Sequence, residues 1–322
     1  AVFLGEAEGR MAGVFEDFKN NRLKPCYDYM ADPPPVSLVG PARRSILKEE
    51  LYYYKGVQMV DLVHASRGCR FNCYPCCVSF LGGRKFRPRP YEKVIEEIAG
   101  IENNRLFIVD NSLAQNREWE LGLFREMISL KKKWCCHPIE DDDEVLDLAA
   151  QAGAWYVYQA IFDTSDYIRK RIRRYKDHGI AVEGTVLLGL DGQTENDIRR
   201  LVDFLLEVEL DLAEFTVLTP FPHTRTFDDL QREGRILSYD WNDYTADKVV
   251  FRPDKMSPEK LQELYAYAWD TFYQDEPQPY KMFRLLQKVA VREKADGTYR
   301  GRRRDLIARR FGKKEAITGD LL

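Results

Sequence analysis

The sequence predicts an α/β fold: a partial (β/α)6 barrel, TIM-like in its alternation of strand and helix, with a short N-terminal segment and a helical C-terminal region. Three observations predict it. Six short apolar runs recur between residues 61 and 219. Stretches with helical spacing lie between them. The chemistry-bearing residues fall just after the runs, where barrel-like sheets carry their sites.

The first sixty residues come first in the chain and show weak periodicity. Ala1-Val2-Phe3-Leu4 reads as a strand closed by Gly5, a helix follows through Arg10 to Asn20, and Pro33-Pro34-Pro35 imposes an extended stretch. The six runs are Asp61 to Ala65, Leu106 to Val109, Lys133 to His137, Trp155 to Ile161, Ala181 to Leu190 and Glu214 to Thr219. Tyr91, Val94, Ile95 and Ile98 repeat at i, i+3, i+4, i+7, as do Ile198, Leu201, Val202 and Leu205. Thr194, with Asp197 three residues later, reads as the capping box of that second helix. After residue 226 the strand rhythm stops, and Met256 to Asp270 and Lys281 to Val291 read as helices. The chain is thereby expected to divide into an N-terminal segment (1–60), the barrel (61–225) and a helical region (226–322). That last region ends in a basic tail, Tyr299 to Lys314, with eight basic residues and one acid. No repeat with a period of 20–50 residues is present.

Composition narrows the function classes. In 322 residues, 44% are hydrophobic and 31% charged, which suits a sizeable core and excludes disorder over the whole length. Forty-nine lysines and arginines against 52 acids leave a net charge of −3, so the chain is not broadly a nucleic-acid binder. No run of about 18 apolar residues predicts a spanning helix, and no secretory segment opens the chain. It begins at Ala1 rather than methionine, as a trimmed, processed or partial chain would. The seven cysteines, four of them within nine residues, fit a soft metal site in a reducing, cytoplasmic setting better than a disulfide framework.

The sharpest signal is Ser66-Arg67-Gly68-Cys69-Arg70-Phe71-Asn72-Cys73-Tyr74-Pro75-Cys76-Cys77. It places Cys-x3-Cys-x2-Cys directly after the first barrel strand. Three thiolates this close on one loop can converge on one centre, and thiolates suit iron–sulfur clusters or zinc. Structural zinc takes four protein ligands; three suggest a cluster with one iron open to chemistry. The competing reading is a zinc knuckle closed by Cys77 or His64, in an adaptor whose basic tail meets nucleic acid.

The cysteine spacing, its place after strand one and the six βα units resemble the radical S-adenosylmethionine superfamily. The resemblance implies a [4Fe–4S] cluster held by Cys69, Cys73 and Cys76, with the fourth iron binding the amine and carboxylate of S-adenosylmethionine. Pro75 stands where that family has an aromatic residue beside the adenine. Leu106-Phe107-Ile108-Val109-Asp110-Asn111 resembles the family's second strand, so Asp110 and Asn111 are implied near the methionine amine. Gln159, ahead of Ala160-Ile161-Phe162-Asp163, falls where the family places ribose contacts after strand four. Gly184 to Asp191 resembles strand five and implies cofactor contacts at Leu188 and Gly189. Leu218-Thr219-Pro220-Phe221-Pro222-His223-Thr224 resembles the "TPxPxT" end of strand six and puts Thr219 and Pro220 near the adenine. The expected chemistry is reductive cleavage of S-adenosylmethionine to a 5′-deoxyadenosyl radical that takes hydrogen from a small-molecule or lipid-like substrate. A flavodoxin or ferredoxin would supply the electron.

Leu4-Gly5-Glu6-Ala7-Glu8-Gly9 and Arg67-Gly68-Cys69 further resemble members that carry a cobalamin-binding domain, in which a "GExE" element follows the last strand of that domain. Under that resemblance, methylation of an unactivated carbon is the alternative reaction. Residues 1–60 are short for such a domain, and no Asp-x-His-x-x-Gly element accompanies His64, His137, His178 and His223. The chain is therefore expected not to hold cobalamin tightly, and its Gly5-Glu6-Ala7-Glu8 element to pack against the barrel. Cys135-Cys136 read as small residues of strand three. His223 reads equally as a structural or a substrate-touching residue, and Glu140 to Glu144 as an acidic helix start. Arg302 to Arg304, Arg309 and Arg310 read as a solvated face or tail.

Overall fold

The structure, a computed structural model, describes residues 1–54, 57–58 and 60–299; the basic stretch from residue 300 onward lies outside the described residues. Six parallel strands form one sheet: β1 (Asp61–Val63), β2 (Arg105–Ile108), β3 (Lys133–Cys136), β4 (Ala154–Ile161), β5 (Ala181–Leu188) and β6 (Leu212–Val217). Each lies beside its predecessor, in the order β6-β5-β4-β3-β2-β1. Helices supply the crossovers: α1 (Tyr91–Ala99), α2 (Arg117–Met127), α3 (Asp143–Gln151), α4 (Asp166–Asp177) and α5 (Glu195–Glu207). This is the partial (β/α)6 barrel the sequence predicts, and it brings every strand's C-terminal end to one rim.

The helix starts have local causes. Asp142 and Ser165 cap α3 and α4, their side chains accepting from Val145 and Ile168 N–H. The Thr194–Asp197 capping box of α5 is present with both reciprocal bonds. Strand β6 begins at Leu212 rather than Glu214, and β5 stops at Leu188 because Gly189 turns the chain at φ +88°.

Period-2 alternation divides the sheet. Leu106, Ile108, Trp134, Cys136, Val157, Val186 and Phe215 face outward into the helix layer. Arg105, Phe107, Cys135, Tyr158 and Glu183 take the inward positions of the same strands. Two further helices complete the fold. Helix α6 (Arg225–Arg232) follows β6, and α7 (Pro258–Phe272) packs beside α5. The Tyr273 hydroxyl accepts from Ala213 N–H at 3.0 Å and donates to Ala213 C=O at 2.7 Å, covering backbone on edge strand β6. Helix α8 (Gln278–Ala295) plugs the floor, with Leu285 and Val289 packed against Cys135, Trp155, Tyr156 and Leu212. Its Glu293 takes both Arg105 nitrogens at 2.8–3.0 Å, and Asp296 beyond it takes Lys133.

The N-terminal segment holds more than the single strand expected. Val2–Leu4 pairs in parallel with Cys26–Asp28 across the helix Met11–Lys19, one small βαβ unit. Buried Tyr27 anchors it by donating to Asp17 at 2.8 Å.

Glu120 on α2 is fully buried, with Oε2 lacking a partner among the described residues. Burial pushes its carboxyl up to about 8 from 4.5. The folded chain thus keeps a proton that the unfolded chain has released. Stability from this group is therefore lost as pH climbs from about 4.5 to about 8. Glu120→Gln should remove the loss: its thermal midpoint, compared with wild type at about pH 5.5 and about pH 8.5, should gain at the higher pH. A pH-independent difference would clear Glu120 of that role.

Candidate active site

The cysteine loop hangs from a short antiparallel ribbon in which Ser66-Arg67 pairs with Arg87-Pro88. Gly68 is required at its start. Its φ is +75°, and a Cβ there would sit 2.1 Å from the Lys85 carbonyl oxygen. Cys69 N–H donates to Gly83 C=O at 3.0 Å, and Cys76 N–H to Cys73 C=O at 2.9 Å. Val78 N–H, at the start of the short helix Val78–Leu81, donates to Cys76 Sγ at 3.4 Å.

Three devices fasten this loop to the rim. Asp110, buried at the end of β2, accepts from Ala65 N–H at 2.8 Å and from the Ser66 hydroxyl. Burial pushes its carboxyl up to about 6 against those donors. Gln115, also buried, brackets Cys69: its Oε1 accepts from Arg70 N–H at 2.7 Å, while Nε2 donates to Gly68 C=O at 3.3 Å and Ser112 C=O at 2.8 Å. Arg67 pairs with Glu6 at 2.8 Å and Glu8 at 2.5 Å, and Arg87 also pairs with Glu6. The Gly5-Glu6-Ala7-Glu8 element therefore packs against the barrel through the cysteine ribbon.

Cys69 is buried; Cys73 and Cys76 are exposed. Burial pushes the Cys69 thiol up, and the charges of Cys73 and Cys76 raise it further, so the three sulfurs share one neighbourhood. Cys77 feels Cys76 alone. Among the described residues no three His, Cys, Asp or Glu side chains close on a single ion. His64 is coupled instead to Arg67, Arg89, Glu97 and Glu8. A four-iron cube takes its thiolates on separate irons, around a body wider than one ion. Three mutually sensed thiols on a rim loop fit that demand.

The other sequence-derived positions lie along the same rim with different orientations. Asn111 is exposed directly after Asp110, and Pro75 is half-buried between Cys73 and Cys76. Leu188 points into the helix-side core, which leaves its backbone for the rim. Gly189 donates its N–H to Gln193 Oε1 at 2.7 Å and leaves no room for a Cβ beside Leu261. Thr219 and Pro220 are buried, with Thr219 Oγ1 donating to Val217 C=O at 3.0 Å. Gln159 pairs with outward-facing Gly184, so its side chain sits on the helix side with Oε1 lacking a partner among the described residues. His223, at φ +63°, stacks on Phe80 of the short cysteine-loop helix, centroids 5.0 Å apart, and joins the two edges of the open barrel. Cys135 and Cys136 are buried strand residues, burial pushing the Cys135 thiol up to about 12.

Sequence reasoning missed Gln115, Ser66 and the inward residues His137 and Glu183. Gln115 sits in a polar loop after β2, and nothing in its spacing ties it to residues 68–70.

No family model matches the chain. It is 23% identical to bacteriochlorophyllide d C-12(1)-methyltransferase of Chlorobaculum tepidum over 82% of this chain and 62% of that protein. It is 25% identical to bacteriochlorophyllide d C-8(2)-methyltransferase of the same organism, over 91% of this chain and 73% of that protein. The chain thus spans about three fifths of the first relative's length. Among solved structures, the radical S-adenosylmethionine methyltransferase TsrM from Kitasatospora setae superposes with a TM-score of 0.54 at 19% identity, over 68% of this chain and 47% of that one. The fold is shared with that enzyme.

Removing the Gln115 side chain strips three hydrogen bonds and leaves the part-buried Arg70 N–H beside Cys69 without its acceptor. Gln115→Ala should cost about 2–3 kcal/mol, at roughly 1 kcal/mol per bond. After anaerobic reconstitution it should also release iron to a chelator faster than wild type. Wild-type release kinetics would show that the bracket does not position Cys69.

Proposed function

We propose that this chain, related to radical S-adenosylmethionine methyltransferases, is the catalytic barrel of an enzyme that reductively cleaves S-adenosylmethionine and directs the resulting radical at a bound substrate. The observation that carries this reading is the loop of Cys69, Cys73 and Cys76, fastened to the C-terminal rim by Asp110, Gln115 and Arg67. When bound there, a [4Fe–4S] cluster supplies one electron to the sulfonium and an open iron for the amino-acid end of S-adenosylmethionine.

The chain's own residues do the rest. Cys69, Cys73 and Cys76 hold the cluster. Gln115 fixes the backbone on either side of Cys69. Asn111, on the exposed shoulder after β2, offers polar contacts to the methionine end. Gly189, Thr219 and Pro220 stand on the rim beyond β5 and β6, the end of the sheet that would face the adenine. The helix layer and the α8 plug close the barrel wall and floor, which limits water at the reacting carbon. A small reduced carrier such as a flavodoxin or ferredoxin suits the exposed face of Cys73 and Cys76.

A second reading, methylation of an unactivated carbon, is favoured by the names of both bacteriochlorophyllide relatives. It would call on a corrinoid. The described N-terminal residues build one βαβ unit, and a corrin-binding domain generally needs ~100 residues or more. The chain by itself should lose hydroxocobalamin on desalting; retention of about one corrinoid per chain would favour the methyl-transfer reading.

Reconstituted anaerobically with iron and sulfide, then given dithionite and S-adenosylmethionine, the protein should form 5′-deoxyadenosine. Cys69→Ala, Cys73→Ala and Cys76→Ala should each lose both iron and product, whereas Cys77→Ala keeps most of both. Normal iron content in Cys73→Ala, or wild-type protein that loads iron yet never forms 5′-deoxyadenosine, would overturn the proposal.

A further inference from the structure

Inside the barrel, three side chains form one row across three neighbouring strands. Val157 sits opposite Cys136, so Tyr158 stands beside His137, ring centroids 5.5 Å apart. Tyr158 in turn pairs with Glu183 on β5. At about 4.8 Å per strand, the row runs ~10 Å from His137 to Glu183. Phe107 backs it, 5.6 Å from both the His137 and Tyr158 rings, and Tyr156 meets Tyr158 edge-on at 5.2 Å.

The polar ends of this row have no use within the fold. His137 Nδ1 lies 2.7 Å from the Asp110 carbonyl oxygen. A carbonyl only accepts, so Nδ1 carries the hydrogen and Nε2 keeps a bare lone pair. Burial holds the imidazole below its ordinary pKa, hence neutral. Among the described residues the Tyr156 hydroxyl, 2% exposed, is buried without a hydrogen-bond partner, while half-buried His137 bonds within the fold through Nδ1 and not Nε2. Glu183, 6% exposed, makes no ion pair or hydrogen bond among the described residues. The groups that face it are Tyr158 on β4, Cys135 on β3, Glu214 on β6 and Tyr273 after α7, and none is cationic. Buried polar groups are nearly always satisfied in folded proteins, so the partnerless Tyr156 hydroxyl, beside an imidazole nitrogen and a carboxyl that make no bond within the fold, gives this wall polar capacity for a ligand.

The row's chemistry also sets the ligand class. Arg105 and Lys133, the inward cations of β2 and β3, are spent at the floor on Glu293 and Asp296. Above them the inward positions of β2 to β6 carry rings, hydroxyls, carboxyls and apolar groups, with no lysine or arginine. Such a wall attracts donors and positive charge and repels anions.

We propose that the row His137–Tyr158–Glu183 is the substrate-reading site of this barrel, taking a flat ligand that presents N–H donors or a positive charge and refusing anionic ones. This deepens the radical S-adenosylmethionine reading and rests on it for the word substrate. Tyr158 and Phe107 supply faces for the flat body. His137 Nε2 and Glu183 accept from donors at its two ends.

The test uses two phenol probes of similar size and opposite charge, tyramine and 4-hydroxyphenylpropionate. Their binding to the reconstituted protein with S-adenosylmethionine present is followed by calorimetry. Tyramine should bind at least about tenfold tighter, and Glu183→Gln should erase most of that preference. His137→Ala should weaken tyramine as well. Equal affinity for the two probes, preference for the carboxylate, no binding of either, or an unchanged preference in Glu183→Gln would each overturn the proposal. A second readout guards against a structural role. An unpaired buried carboxyl costs stability, so Glu183→Gln should hold or raise the thermal midpoint. A fall of several degrees would mark Glu183 as a structural residue. Formation of 5′-deoxyadenosine by wild type without any probe reports separately on the underlying reading.

Discussion

The carboxylate of Asp110 ties two neighbouring strand ends together at the place where the cysteine loop leaves the sheet. One oxygen takes the Ala65 N–H, the other the Ser66 hydroxyl, and the backbone carbonyl of the same residue takes His137. Burial alone favours the neutral acid, and the donors oppose it. The consequence reaches both functional regions. On the rim, residues 65 and 66 cannot drift, so the ribbon that begins at Ser66 has a fixed root. In the lumen, the imidazole of His137 is held in one tautomer. A single residue thus sets the positions of the cysteine loop and of the polar row.

The floor explains why the lumen can be so poor in cations. Strands β2 and β3 each bring one inward cation, Arg105 and Lys133, at their N-terminal ends. Left free, either would dominate the field of the cavity. The end of α8 supplies Glu293 and Asp296 to neutralise them, and Asn104 adds a further bond to Glu293 at 3.2 Å. Paired, hydrogen-bonded charges at the floor are tolerable where single ones are not. The C-terminal helix is therefore part of the barrel's electrostatics as well as its plug.

Much of this was legible in the sequence, for reasons that differ by element. Parallel strands sealed by helices on one face read as apolar runs, and all six were placed within two residues at their starts. The capping box at Thr194 was visible because its partners are three residues apart. The cysteine loop stood out because its thiols lie three and four positions apart on one short loop. The strand Cys26–Asp28 was not, since three residues with one buried tyrosine carry no period. Gln115 was hidden by the 45 positions that separate it from Arg70. His137, Tyr158 and Glu183 became a row only once register was known: each is unremarkable on its own strand, and inward position follows from pairing, not from spacing.

The N-terminal element completes the logic of the loop. Arg67 stands two residues before Cys69, close enough for its charge to weigh on any anionic centre there. Glu6 and Glu8 together compensate Arg67 and, through Glu6, Arg87 as well. These groups are partly exposed, so the pairs contribute modestly to stability. Their effect lies in placement: bidentate sharing of Glu6 holds the two strands of the ribbon at a fixed separation, and the loop between them inherits that geometry. Gly5, at φ +99° with the Tyr29 backbone within 2.9 Å of its absent Cβ, lets the element turn toward the ribbon. Residues that precede the barrel by some sixty positions thereby act on the same loop as Asp110 and Gln115, from its other side.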